Sequence, residues 1–154
     1  MNLRTIVPAS LAALLCVGCA PTVLMIAGFV VPSSIYLHPV KGPIFDQSPP
    51  NALKGSASGV GSISVALPSG ETCKGEWQTI QQTQMEVGLA SDWDFVYGQG
   101  YFAKSVQGSR LRAKATLVGN KGSEIRAEFF RHSNAAPIQG VAKDSAGNIF
   151  KVVN

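Results

Sequence analysis

The sequence predicts an all-β protein: a small antiparallel barrel or sandwich of about seven strands, built from hairpins, after an N-terminal signal or anchor segment. Three observations support this fold class. Gly and Pro are frequent, with 16 and 9 residues in a chain of 154, and this composition favours turns over long helices. One turn pattern recurs three times along the chain. For one of these turns, pairing the flanking residues as a hairpin gives matching cross-strand pairs on both faces of the sheet.

The recurring turn consists of two turn-tolerant residues followed by Gly. It occurs at residues 67–71, 119–123 and 144–148, with a Gly at the third loop position each time. A three-residue hairpin loop needs positive φ at this position, and Gly adopts that conformation without steric cost. The pattern therefore predicts three β-hairpins.

The middle hairpin has the most specific register. A loop at residues 120–122 places apolar pairs on one face and charge or cation–aromatic pairs on the other. The predicted inner pairs are Leu117 with Ile125, Ala115 with Ala127 and Ala113 with Phe129. The predicted outer pairs are Thr116 with Arg126, Lys114 with Glu128 and Arg112 with Phe130. A slip of one residue would lose these matches.

The same loop rule predicts the other two hairpins. Their predicted pairs are Val65 with Cys73, Ile63 with Gly75, Gly61 with Trp77, Ala142 with Phe150, and Gly140 with Val152. Small residues opposite large ones suit a curved sheet. A further strand is predicted from Gly98 to Val106, pairing with residues 109–118. Between Ile80 and Asp94 a short helix and a bulged strand are equally compatible with the pattern.

The first residues have the layout of an export signal. Arg4 supplies a positive charge, and residues 6–17 form an apolar segment of signal-peptide length. The stretch Leu15-Cys16-Val17-Gly18-Cys19 resembles the lipobox of bacterial lipoproteins, in which a small residue precedes a cysteine that is acylated and becomes the new N-terminus. The resemblance covers only these residues, and it implies lipidation of Cys19.

An uncleaved anchor is the alternative to a cleaved signal. A helix from about Thr5 to Val31 is long enough to cross a hydrocarbon core of ~30 Å, although Pro21 would kink it. Both interpretations place the following domain outside the cytoplasm. If Cys19 is acylated, the next residue, Ala20, differs from the Asp that favours inner-membrane retention. The resemblance then implies attachment to the outer membrane.

The chain therefore divides into three predicted parts: a signal peptide at 1–18, a lipid-anchored apolar and Pro-rich tether at 19–54, and a β domain at 55–154. From Pro32 to Lys54 the tether would reach ~70 Å if fully extended. Residues 35–37 are apolar enough to form a short edge strand or to bind a partner. The glycine-rich residues 55–61 precede a strand rather than a helix, so we interpret them as a flexible connection rather than a phosphate loop.

The cysteines and histidines do not suggest a catalytic site. Cys73 is expected to be a small buried residue opposite Val65, although an intermolecular disulfide or a nucleophile is also conceivable for this thiol. A nucleophile needs a base, and His132 lies in a predicted loop with nothing in the sequence that brings it to Cys73. Cys16 and Cys19 have C-x-x-C spacing, but their apolar surroundings do not suit a redox or metal site.

Two carboxylates flank a tryptophan in the sequence "SDWDF". Asp92 and Asp94 would point to one side if the chain were extended, which would suit a cation or acid–base chemistry. A turn with solvated Asp residues around a packed Trp93 is the simpler interpretation. We therefore expect no cofactor and no metal.

The charge distribution excludes one class of partner. The net charge is only +4 and basic residues are interleaved with acidic ones, which does not favour nucleic acid. A solvated sheet face and a basic surface for anionic lipid or glycan remain open. The basic residues expected at the surface are Lys54, Lys74, Lys104, Arg110, Arg112 and Lys114.

Together these features predict a non-catalytic cell-envelope lipoprotein, attached to the membrane through its N-terminal lipid. Its role would be structural, or it would bind an envelope protein or polymer through a sheet edge or the apolar part of the tether. A periplasmic carrier, with a small apolar ligand inside the barrel, is the alternative, and it requires an unfilled interior. A hydrolase is disfavoured because no nucleophile–base pair is recognisable.

Overall fold

The computed structural model describes residues 31–43, 52–58, 61–80 and 88–154. These residues form a closed antiparallel barrel in which each strand pairs with the next one in sequence and the last pairs with the first. The strands are β1 (Ser34–Lys41), β2 (Leu53–Ala57), β3 (Ser62–Ala66), β4 (Thr72–Thr79), β5 (Arg112–Gly119), β6 (Glu124–Phe130), β7 (Gln139–Asp144) and β8 (Ile149–Val153). The predicted all-β class is confirmed, with eight strands instead of seven.

The predicted hairpin registers are also confirmed. All six pairs of the middle hairpin occur between β5 and β6 as the sequence predicts. Val65 pairs with Cys73 and Ile63 with Gly75 in the first hairpin, and the two predicted pairs of the last hairpin occur between β7 and β8. The Gly residue of each loop has positive φ: 75° at Gly70, 95° at Gly122 and 86° at Gly147.

The barrel interior is packed by pairing large side chains with small ones. Phe129 lies between Ala113 and Gly140, and Phe150 lies opposite Ala142. The interior cluster also includes Ile35, Leu37, Ile63, Val65, Cys73, Leu117, Ile125 and Val152. An eight-stranded barrel is just wide enough for side chains to fill it. Small residues beside each ring provide the space that the ring needs.

The first strand corrects the predicted domain boundary. Residues 34–41 belong to the barrel as β1, although the sequence interpretation placed them in a tether that extended to residue 54. β1 is not an edge strand, because it pairs with both β2 and β8. Ile35 and Leu37 point into the core and Tyr36 points outward.

Part of the glycine-rich stretch, Gly55 to Ala57, also belongs to a strand, β2, and is not a flexible connection.

The connection between β4 and β5 corrects the predicted strand at 98–106. It contains helix α1 (Ala90–Tyr97) and a π-helix (Phe102–Val106). Gly98 and Gly100, with φ of 108° and 78°, separate the two helices. Asp94 accepts hydrogen bonds from the backbone N–H groups of Gly100 and Phe102, at 3.0 and 2.8 Å. The short helix that was one of two options near residues 80–94 is therefore present from Ala90 onward.

The meander topology defines two ends of the barrel. At the proximal end β1 begins, so the chain arrives there from its N-terminal part; residues 98–111 and 131–138 lie at the same end. At the distal end lie the three hairpin loops around Gly70, Gly122 and Gly147. This polarity fixes which end of the barrel faces the N-terminal segment.

Adjacent residues of β1 provide a test of its place in the barrel. Ile35 is 1% exposed and Tyr36 is 38% exposed. We expect Ile35→Lys to lower the free energy of unfolding by about 3–5 kcal/mol, because it buries a charge without a partner. Tyr36→Lys should change it by less than about 1 kcal/mol. Urea unfolding of the full chain in mild detergent measures both values. Equal, small effects would mean that residues 34–41 are a tether after all.

Candidate functional site

The residues considered for chemistry in the sequence do not come together. Cys73 is fully buried in the barrel interior, opposite Val65 as predicted. Burial raises the pKa of its thiol, and the carboxylates of Glu71 and Asp144 raise it further. His132 lies at the proximal end, where its ring contacts Phe130 at 4.6 Å between centroids. The described residues therefore place no base beside Cys73, and Cys19 lies outside the described residues.

The two aspartates of "SDWDF" have separate structural roles. Because they lie on α1 and not on an extended chain, they do not point to one side as a pair. Asp92 is buried and lies 3.5 Å from the Lys143 ammonium group. Asp94 binds the backbone before the π-helix. No cluster of potential metal ligands is found within the described parts of the chain.

The interior of the barrel has almost no free volume. The cavity between Ile35, Leu37, Val65, Leu117 and Phe129 measures about 10 Å³. A small-molecule site usually measures ~300–1,000 Å³. The described barrel interior is therefore too small for such a ligand, and its outer surface has two distinct halves.

The covered half of the outer surface is the part of β6, β7 and β8 beneath the two helices. Trp93, Tyr97 and Tyr101 are spaced four residues apart, and their rings lie 5.0 to 6.2 Å from one another. They pack with Phe102, Phe130 and Val141 in a second apolar cluster outside the barrel. Burial raises the pKa of Tyr97 to about 12, and its hydroxyl donates to the carbonyl of Gly140.

A buried glutamate attaches α1 to the barrel wall. Glu128 of β6 is 5% exposed, and it accepts hydrogen bonds from Trp93 Nε1 at 2.8 Å and from the backbone N–H of Leu89 at 3.2 Å. The sequence interpretation assigned this residue to a solvent-facing pair with Lys114. The pair occurs in the register, but the helix covers the carboxylate. Glu128 is therefore a structural group at the border between the covered half and the remaining surface.

The open wall is the outer face of β2 to β5, which neither of the two helices covers. Two pairs of serine hydroxyls bridge its strands: Ser56 with Ser64 at 2.9 Å, and Ser58 with Ser62 at 2.8 Å. Shallow depressions of about 340 and 410 Å³ lie over these strands, and a third of about 400 Å³ extends to β6. The side chains of the open wall are Lys54, Ser56, Ser58, Ser62, Ser64, Lys74, Glu76, Gln78, Lys114, Thr116 and Val118.

The open wall offers hydroxyl, amide and ammonium groups and few carboxylates. Lys54 and Lys74 are exposed, and Glu76 is the exposed carboxylate among them. Val118 contributes an apolar surface that is 59% exposed. Such a surface can donate hydrogen bonds to hydroxyl-bearing polymers and attract anionic groups.

At the distal end, a second buried carboxylate, Glu71, joins two hairpin loops. Glu71 accepts hydrogen bonds from Ser123 Oγ at 2.7 Å and from the backbone N–H groups of Ser123 and Lys121. The hydrogen bond from the Ser123 hydroxyl contributes most to lowering the pKa of Glu71 below its usual range. The carboxylate occupies the space that a Cβ at position 119 would need, so Gly119 is required there. This contact joins the first hairpin to the second and is structural.

Comparisons with protein-family models, curated proteins and solved structures find no match to this chain. Within the residues that the structure describes, no helix has the length and apolar character needed to span a membrane. The functional interpretation therefore depends on the geometry of the barrel and on the N-terminal sequence.

The reactivity of Cys73 tests its assignment as a core residue. Because burial raises its thiol pKa, the group stays protonated at pH 8, where an ordinary cysteine is partly ionised. We expect iodoacetamide to modify Cys73 at least ~100-fold more slowly in the folded protein than in urea. Mass-spectrometric peptide mapping separates Cys73 from Cys16 and Cys19. Rapid modification of the folded protein would contradict the assignment and reopen a role for the thiol.

Proposed function

We propose that this protein is an extracytoplasmic lipoprotein, anchored by acylated Cys19, whose closed barrel binds an anionic envelope polymer through the open wall. The observation that carries this proposal is the division of the barrel: its interior is filled and half of its outer surface is covered by helices. The open wall is the surface that remains for a partner.

The N-terminal sequence supports the anchor. Cys19 follows Gly18 after an apolar segment of signal-peptide length, as in the lipobox that the sequence resembles. The alternative, an uncleaved span, keeps the same barrel outside the cytoplasm and differs in the retained residues 1–18. Ala20 favours the outer membrane as the destination of the lipoprotein.

The filled interior counts against a carrier of a small apolar ligand. A cavity of about 10 Å³ holds at most one water molecule.

Barrel closure also changes the way in which a partner would bind. Every strand already has two neighbours, so a peptide cannot add to a free sheet edge. The interaction would instead use side chains on the outer surface.

The chemistry of the open wall favours a glycan with carboxylate groups over an apolar partner. Ser56, Ser64 and Lys74 lie in one row across β2, β3 and β4, because each is the register partner of the next. This row presents two hydroxyls and an ammonium group on a rigid sheet. A polymer with alternating hydroxyl and carboxylate groups can accept and donate hydrogen bonds along it. A binding role of this kind requires no catalytic residue.

The mass of the membrane-extracted protein tests the anchor. We expect a chain that begins at Cys19 and carries the added mass of acyl chains, since more than one chain is needed for stable attachment. Cys19→Ser should abolish both the cleavage and the added mass, whereas Cys16→Ser should change neither. A native chain that begins at Met1 without acyl mass would overturn the lipoprotein proposal.

Co-sedimentation with insoluble peptidoglycan sacculi tests the open wall. We expect the wild-type protein to sediment, and Lys54→Glu/Lys74→Glu to weaken the apparent affinity roughly tenfold, or ~1.4 kcal/mol. Lys41→Glu/Lys104→Glu is the matched control, with the same charge change at two exposed lysines outside the open wall. Absence of binding by the wild-type protein, or an equal loss in both variants, would overturn the polymer proposal.

A further inference from the structure

The proximal end of the barrel lies close to the proposed anchor. Val31 is the first described residue and is 3% exposed, packed in the same cluster as Ile35. The backbone of Ser33 accepts a hydrogen bond from Ala57 at 3.2 Å. The chain is therefore fixed to the barrel from Val31 onward. Because residues 34–41 form β1, the Pro-rich segment cannot hold the barrel away from the membrane as an extended tether.

The remaining connection is short and apolar. Twelve residue steps separate Cys19 from Val31, and even a fully extended chain of this length spans only ~40 Å. Residues 22–30 read TVLMIAGFV, a composition that favours burial in a membrane over extension through water. Anchoring at Cys19 would thus place the proximal end near the lipid headgroups.

The proximal end is basic. The loops at residues 98–111 and 131–138 contain Lys104, Arg110, Arg131 and His132, and neither loop contains Asp or Glu. Lys104, Arg110 and His132 are exposed. Asp94 reaches this end from α1, but its two oxygens accept the backbone N–H groups of Gly100 and Phe102. The net charge of +4 for the whole chain conceals this local excess.

A buried arginine adds to the charge of this end. Arg112 is 2% exposed, its Nη1 donates to the carbonyl of Gln107 at 3.3 Å, and its guanidinium lies 5.4 Å from the centroid of the Phe102 ring. Across the described part of the chain, no group accepts a hydrogen bond from its Nη2 and no carboxylate pairs with it. Within the described residues its positive charge therefore has no ion-pair partner.

The distal end carries charges of both signs. Glu71 and Asp144 are buried beneath its loops, Glu124 is exposed beside them, and Lys41 and Lys121 are exposed at the same end. Glu71 and Asp144 each accept three hydrogen bonds, Asp144 from the backbone of Ala146 and from both nitrogens of Asn148. Two loops at the proximal end thus carry basic residues without carboxylates, whereas the distal end has mixed charge.

We infer that the proximal end rests on anionic phospholipid headgroups, so that the barrel has a fixed orientation on the membrane with its open wall accessible from the side. This inference depends on the proposed anchor at Cys19. A juxtamembrane cluster of Lys and Arg is attracted to an anionic lipid surface within about one Debye length, ~8 Å at physiological ionic strength. If residues 22–30 lie at the boundary between headgroups and acyl chains, as their apolar composition favours, the connection brings the cluster within that range.

Site-specific quenching measures the orientation. A fluorophore is attached to Ala135→Cys at the proximal end or to Ala146→Cys at the distal end, both in the acylated full chain reconstituted in vesicles with nitroxide-labelled headgroups. In mixed phosphatidylcholine–phosphatidylglycerol vesicles we expect severalfold stronger quenching at position 135 than at 146. The difference should decrease in phosphatidylcholine alone and at high salt, because the attraction is electrostatic.

Charge-reversed variants identify the residues responsible. Lys104→Glu/Arg110→Glu should abolish the difference between positions 135 and 146, whereas Lys74→Glu/Lys121→Glu, with the same change in net charge, should preserve it. Equal quenching at the two positions in anionic vesicles, or a difference that persists in Lys104→Glu/Arg110→Glu, would overturn the inference. Failure of the anchor itself is distinguishable, because an unacylated chain would be recognised by its mass before reconstitution.

Discussion

Pairing of β1 with β8 is the constraint on which the rest of the structure depends. It joins residues 36–41 to residues 149–153, more than 100 positions apart, and leaves no strand with a free edge. Closure makes every inward side chain part of one core, and the large rings can enter that core because small residues lie beside them. The same closure removes edge pairing and interior binding as modes of interaction. Among the described residues, the outer surface of the barrel is what remains accessible to a partner.

The outer surface is divided by a single connection. The segment between β4 and β5 returns as two short helices over β6 to β8, and this covers three side chains that alternation would place in solvent: Arg112, Glu128 and Phe130. Glu128 is satisfied by two donors, whereas Arg112 retains a buried nitrogen without an acceptor among the described residues. The covered half is consequently a second core, and the two helices leave the serine-bridged strands opposite uncovered.

The sequence predicted the hairpins accurately because their information is local. A loop with Gly at the left-handed position fixes the register, and the inner and outer pairs of β5 and β6 then follow by counting. The sequence did not predict β1 as a barrel strand, because its partner β8 is distant and prolines surround it. It left a helix and a bulged strand open for residues 80–94, and it predicted a strand at 98–106, where the structure has a π-helix. The spacing of Trp93, Tyr97 and Tyr101 was the available helical signal.

Assignment of β1 to the barrel also changes how the N-terminal apolar segment is understood. If residues 32–54 were a tether, residues 22–30 could pack anywhere along ~70 Å of extended chain. With Val31 fixed in the core, that apolar stretch is the part of the sequence that connects the proposed lipid anchor to the proximal end of the barrel. Its composition then has a physical reason, because a segment confined to the headgroup and acyl boundary is stabilised by apolar side chains. The feature that least resembles an ordinary lipoprotein tether thus becomes consistent with a barrel held close to the membrane.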